Sequence, residues 1–174
     1  MVSIHTQFHP KASNNSLRGM QINLHHSETA TDNFNQLTME IAIDIVFIQE
    51  PYMYQNQVIG TSRKYTIFAC GNGRKRPAIV VANKQIDALL TSQLSEEDIV
   101  VEEIIQGNLK FVAAHIYVDI ANETTTDRYK TENILQFAKG RGLVVAMDSN
   151  ARSKKWHVVL TNERGRTFQR VCNK

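Results

Sequence analysis

Cysteine is scarce in this sequence. Cys70 and Cys172 are the two among 174 residues, they lie far apart, and they form no CxxC pair. That argues against structural zinc and for a reducing compartment. Long apolar runs are lacking as well. The longest, from Ile41 to Ile48, is broken by Asp44 and falls far short of the roughly 20 residues that a membrane helix needs. The opening stretch up to Gly19 is polar and turn-rich with no apolar h-region, so no secretion signal is read there. The expected location is nuclear or cytoplasmic rather than secreted, with no membrane partner. No internal repeat and no low-complexity tract occurs. A strong charge of one sign is absent too: Lys and Arg number 20 against 17 Asp and Glu, for a net charge of +3 and a pI near 8.9. Mild basicity permits a polyanionic partner without demanding one.

What is present is an ordinary globular composition, 42% hydrophobic and 21% charged, in a length that suits one domain with a sizeable core. The most informative stretch is Asp44-Ile-Val-Phe-Ile-Gln-Glu-Pro-Tyr52. Its β-branched and aromatic run predicts a buried parallel strand. Pro51 has no N–H for a ladder and stops it, which leaves Glu50 at the carboxyl end, the edge where open α/β sheets place ligands. Two further apolar runs end the same way: Gly142 to Met147 stops at Asp148-Ser149-Asn150, and Met20 to Leu24 carries Asn23 near its end. Two acids and an amide at strand ends can hold a hard divalent ion beside a phosphate.

Between these points the chain reads as follows. Ser27 is a good N-cap with Glu28 in the first turn, and Ala30, Phe34, Leu37 and Ile41 recur at helical spacing, so 28–42 predicts an amphipathic helix. Residues 65–69, 78–81, 99–105 and 109–117 read as strands, with turn chemistry at Gly71-Asn-Gly73 and a hairpin at Gly107-Asn108. Residues 127–139 predict a second helix, capped by Thr126 or Asp127, with Tyr129, Ile134, Leu135 and Ala138 inward and Gly140 and Gly142 at its end. Trp156 to Leu160 is short and apolar, and 163–171 is a weak helix. The pattern implies two packed sheets with helices outside.

Taken together, Gln21-Ile-Asn23-Leu24, Ile48-Gln-Glu50-Pro-Tyr52, His115-Ile-Tyr117 and Met147-Asp148-Ser-Asn150-Ala151 resemble the endonuclease/exonuclease/phosphatase superfamily. Within it they are most similar to the apurinic-type endonuclease domain of non-LTR retrotransposons, over about residues 19–166. The resemblance implies a DNase-I-like α/β (α+β) sandwich that nicks DNA by Mg²⁺- or Mn²⁺-dependent phosphodiester hydrolysis before reverse transcription. It implies Glu50 as metal ligand, Asn23 as support for that metal, Asp148 as the group that orients or deprotonates the attacking water, and Asn150 and Tyr117 as contacts to the scissile phosphate. The basic loop Arg74-Lys75-Arg76 and the cluster Arg152, Lys154, Lys155 with Trp156 are expected to meet DNA.

The family's pattern continues into further strands and a serine–aspartate–histidine motif, which this sequence does not contain. The expectation is therefore a domain incomplete at its C-terminal side and impaired in catalysis, with an exposed sheet edge open to self-association. Residues 1–18 read as a disordered leader, 19–170 as the domain and 171–174 as a tail. Each motif also has a plainer reading: Glu50 as a surface-paired strand end, Asp148-Ser-Asn150 as an Asx turn, Tyr117 as a half-buried aromatic, the basic loop as a solvated turn. His25, His26 and His115 read as solvated or core residues rather than ligands. Two other function classes stay open: a non-catalytic remnant with weak nucleic-acid affinity, and a phosphatase for small or lipid phosphates.

Overall fold

The structure, a computed structural model, describes residues 7–8, 17–73, 75–119, 124–150, 160–162 and 166. Among these residues, eleven strands and two α-helices run in the order β1 (Gln7–Phe8), β2 (Leu17–Asn23), α1 (Glu28–Glu40), β3 (Ile45–Gln49), β4 (Met53–Tyr54), β5 (Gln57–Val58), β6 (Thr66–Phe68), β7 (Pro77–Val81), β8 (Asp87–Leu90), β9 (Ile99–Gln106), β10 (Leu109–Tyr117), α2 (Thr124–Phe137) and β11 (Gly142–Asp148). One sheet has the order β1-β2-β3-β7-β6, the other β11-β10-β9-β8, and β4-β5 is a small hairpin. The two-sheet sandwich with outer helices is the architecture that the strand and helix pattern predicts.

Every residue of β3 is buried, and period two decides what each touches. Val46 and Ile48 join Met20, Ile22 and Leu24 under Phe34 of α1. Ile45 and Phe47 face the other way and meet Val100, Ile104, Ala113 and Ala146 of the second sheet. Burying a side chain of this size contributes roughly 1.5–3 kcal/mol, so a continuous apolar strand fixes both interfaces at once. The pairing is mixed: β3 runs parallel to β2 and antiparallel to β7. The short β2–α1–β3 connection is thus a true βαβ unit, which places both strand ends on the same side.

Helix α1 begins as its cap predicts, with Ser27 Oγ accepting from the Ala30 N–H at 3.2 Å. Its chain turns away at Ala42, whose φ is +49°. Helix α2 covers the outer face of the second sheet. Its buried stripe is Thr131, Ile134 and Ala138, a three- and four-residue spacing. Tyr129 and Leu135, expected inward, lie off that stripe and are 65% and 44% exposed. The side chains of Thr126 and Asp127 lie outside what is described.

Three features were not read from the sequence. The β4–β5 hairpin turns on Gln55 and Asn56, both at positive φ, a geometry usually signalled by Asn-Gly or Asp-Gly. Strand β8 and the 3₁₀ turn Ser92–Leu94 are short and largely unburied, so no core-facing pattern marks them. Gln7–Phe8 also pairs antiparallel with β2, and Leu17 is buried, so ordered chain begins within the stretch read as a leader. The rest of that stretch, residues 156–159, most of the 163–171 helix and the 171–174 tail lie outside the described residues. Among those residues no helix is long and apolar enough to cross a membrane.

Candidate active site

Parallel pairing gathers the strand ends that the sequence singles out. Asn23 stands opposite Gln49 where β2 and β3 finish, and Glu50 is the next residue. Tyr117 stands opposite Asp148 where β10 and β11 finish. The two sheets meet at this rim. The Tyr117 hydroxyl donates to Glu50 Oε1 at 3.3 Å, and Gln21 Nε2 donates to the Met147 carbonyl at 3.4 Å. Asn150 hangs just beyond, its Nδ2 donating to the Val118 carbonyl at 2.9 Å and its N–H donating to Asp148 Oδ1 at 3.3 Å. The Asx turn expected as the plainer reading is therefore present, and it sits inside the cluster.

Backbone strain concentrates here. Glu50 has φ +48°, His25 +48°, His26 +54° and Asn150 +47°. The left-handed region costs a non-glycine residue roughly 1–2 kcal/mol, and such strain collects where surroundings hold it for a purpose. Glu50 is held by its N–H donating to the Arg76 carbonyl at 2.7 Å and its carbonyl accepting from the His26 N–H at 2.8 Å. The bend aims its carboxylate off the strand axis toward Tyr117.

Tyr117 reports the electrostatics of the rim. Its hydroxyl is pushed above the usual phenol range by burial first, then by the negative charge of Glu50; Arg76 opposes the shift and Asp148 adds to it. The phenol stays protonated and able to donate. The guanidinium carbon of Arg76 lies 5.0 Å from the Tyr117 ring centroid, a cation–π distance. Arg76 is also bonded to Asp119 and lies 3.8 Å from Asp98.

The residues expected to serve the chemistry, Asn23, Glu50, Tyr117, Asp148 and Asn150, thus come to one end of the sandwich. Of the basic residues expected to meet DNA, Lys75 and Arg76 are described. Arg76 is locked between Asp98, Asp119 and the Tyr117 ring, so it braces the rim instead of facing solvent as a free cation. Lys75 Nζ donates to the Asn56 carbonyl at 2.9 Å. Arg74, Arg152, Lys154 and Lys155 lie outside the described residues. His115 is a core residue, as expected: it is fully buried with Nδ1 3.1 Å from the Ala78 carbonyl. His25 is the neighbour that sequence reasoning missed. Its Nδ1 lies 3.3 Å from Glu50 Oε2, and its position after Asn23 was the available signal, since the Asn23 side chain accepts from the His25 N–H at 2.8 Å.

The donor set at the rim is made of oxygens: the carboxylates of Glu50 and Asp148 and the amide oxygen of Asn23. Mg²⁺ takes one or two carboxylates and completes its shell with water and substrate oxygens. Among the described residues there is no group of three or more His, Cys, Asp or Glu placed to hold a metal. The residues present fit a hard ion bound through one or two acids, and do not fit a closed protein cage.

No family model matches the chain, and no curated protein matches it in sequence. Solved structures do. The endonuclease domain of TRAS1, a telomere-specific non-LTR retrotransposon, superposes with a TM-score of 0.78 at 23% identity, over 88% of this chain and 68% of that one. A mannosyl-6-phosphatase from Bacteroides thetaiotaomicron gives 0.60 at 12% identity, over 79% and 67%. TDP2 from D. rerio, complexed with a single-strand DNA product, gives 0.56 at 14% identity, over 81% and 63%. The likeness is one of fold, and in fold this chain is a DNase-I-like sandwich of the endonuclease/exonuclease/phosphatase type.

Proposed function

We propose that this chain is a metal-dependent phosphodiesterase of the endonuclease kind, nicking DNA at the rim built by Asn23, Glu50, Tyr117, Asp148 and Asn150. The observation that carries the reading is the Tyr117–Glu50 contact between sheets, with Asp148 close enough to act on the same hydroxyl. One rim thus brings together two acids and neutral donors of the kind a phosphate needs. Glu50, with Asn23 beside it, would hold Mg²⁺ or Mn²⁺, which when bound neutralises charge on the phosphate. Asp148 orients the attacking water and takes its proton as the new P–O bond forms and the leaving oxygen departs. Tyr117 donates to a phosphate oxygen. Asn150 has two amide hydrogens; one is spent on Val118 and the other is free for the phosphate.

Among the fold's nucleases and phosphatases, the superposition on the TRAS1 endonuclease domain, 0.78 against 0.60 for the sugar phosphatase, favours the nuclease. The test offers supercoiled plasmid and soluble phosphate esters side by side, each with Mg²⁺. Conversion of plasmid to open circles, lost with chelator and in Asp148→Ala, is expected. Ester hydrolysis without nicking would replace the nuclease by a phosphatase, and inactivity on both with a normal thermal transition would leave a remnant. We also propose that β11, the outer strand of its sheet among the described residues, mediates self-association; a concentration-independent monomer on size exclusion would end that proposal.

A further inference from the structure

A cavity of about 320 Å³ opens between the 3₁₀ turn at Ser92–Leu94 and α2. Leu94 and the buried Ile99 give it an apolar floor, and Tyr129 stands at its side. Gln93 and Asn133 contribute side-chain amides that make no hydrogen bond among the described residues. Its two charges are already matched, Lys130 Nζ lying 2.6 Å from Glu96 Oε1.

Asp98 links the cavity to the rim. Asp98, two residues from Glu96, feels both Lys130 and Arg76, and Arg76 braces Tyr117. The Asp98 carbonyl accepts the Tyr117 N–H at 2.8 Å. The Asp98 turn thus stands between the cavity, on the α2 side of the sheet, and the rim at Tyr117.

We propose that this cavity is a nucleobase subsite, taking an unpaired base of the bound strand. The proposal rests on the nuclease reading above and deepens it. The ligand class follows from the lining. A phosphate would have to break the Lys130–Glu96 pair and face the Glu96 carboxylate, so a free anion is disfavoured. A neutral, planar group with hydrogen bonds on its edge suits an exposed ring, an apolar floor and two unpaired amides together. Base–aromatic stacking is worth about tenfold or more in affinity per base, and Asn and Gln amides match base edges. The volume is at the lower end for ligand cavities, which run from about 300 Å³, and suits one base.

The experiment is fluorescence anisotropy with a short fluorescein-labelled oligothymidylate and an abasic strand of equal length. Tyr129 is on the surface, so Tyr129→Ala should keep the fold, with a thermal melt as control. Expected is a loss of about tenfold in affinity for oligothymidylate, little change for the abasic strand, and recovery in Tyr129→Phe. Asn133→Ala should lose less. Wild-type affinity in both Ala variants would overturn the proposal, and so would an equal loss on the abasic strand. Failure of the wild type to bind oligothymidylate overturns it as well. Plasmid nicking with its Asp148→Ala control then decides separately whether the nuclease reading survives, since that assay does not depend on this cavity.

Discussion

Glu50 with His25 at the rim, and Glu102 with His115 in the interior, put the same two residue types into opposite surroundings. The rim pair is 3.3 Å apart, with the His25 side chain 68% exposed, and Glu50 sits on strained backbone that holds it toward Tyr117. The interior pair faces the layer between the sheets. His115 stands opposite Val100 and Glu102 opposite Ala113, which makes them diagonal neighbours on the inner face. Neither is exposed. His115 Nδ1 reaches the Ala78 carbonyl, and its ring meets Phe47 edge-on at 5.7 Å. Its Nε2 and both Glu102 oxygens find no partner among the described residues. Burial pushes the Glu102 carboxyl up to about 9 and the His115 imidazole down to about 4. Desolvation keeps both interior groups neutral near neutral pH. The rim acid is partly open to solvent, so on the proposed function one pair is available to chemistry and the other acts on stability alone.

Removing the rim acid should give the largest effect. Glu50→Gln is expected to lower plasmid nicking by about a hundredfold or more and to abolish Mg²⁺ binding by calorimetry, with little change in Tm. Unchanged nicking in that variant would erase the distinction between the two pairs.

Removing the interior acid should do the reverse. The folded pKa of Glu102 is about 9 against an ordinary 4.5. Its contribution is therefore fully favourable below pH 4.5 and is lost progressively as pH rises toward 9. At pH 7 the penalty is on the order of 3 kcal/mol. His115, lowered from 6.5 to about 4, loses stability as pH falls across that interval. The two slopes oppose each other between pH 4.5 and 6.5, so wild-type stability should be flat there and fall on the alkaline side. Glu102→Leu should raise Tm by several degrees at pH 8, flatten the alkaline limb and leave nicking unchanged. A variant with the wild-type alkaline slope would show that Glu102 is solvated after all.

The smallest effect is expected at the exposed partner. His25→Ala should change nicking by less than about threefold, since exposed ion pairs are worth about 0–1 kcal/mol. A larger drop would promote His25 into the machinery and make the rim pair a functional couple.

The rim was legible because each strand announces its end. Apolar runs stopping at Asn23, at Glu50 before Pro51 and at Asp148 can be read without coordinates, and parallel pairing then brings them to one side. The interior pair was not legible. Glu102 and Glu103 are adjacent in a strand, one must face each way, and composition does not say which. Register decides it: Glu103 points outward to Arg141 at 2.7 Å, and Glu102 is left inside. Helix α2 misled for a similar reason. Tyr129 and Leu135 are apolar enough to count toward a core stripe, yet the sheet beneath takes Thr131, Ile134 and Ala138. The bracing role of Arg76 depends on Asp98, in the turn before β9, and Asp119, just after β10, which are distant in sequence and carry no local signal.

The machinery at the rim draws one residue from near the start of the described chain, Asn23, and another from near its end, Asp148, with Glu50 and Tyr117 between them. Contacts over such separations form late, after the loop-closure entropy has been met. Neither sheet alone assembles the site, so a partly folded chain is expected to be inert toward nucleic acid. On the proposed function, competence to cut becomes a readout of complete folding, and refolding followed by nicking should lag behind refolding followed by secondary structure.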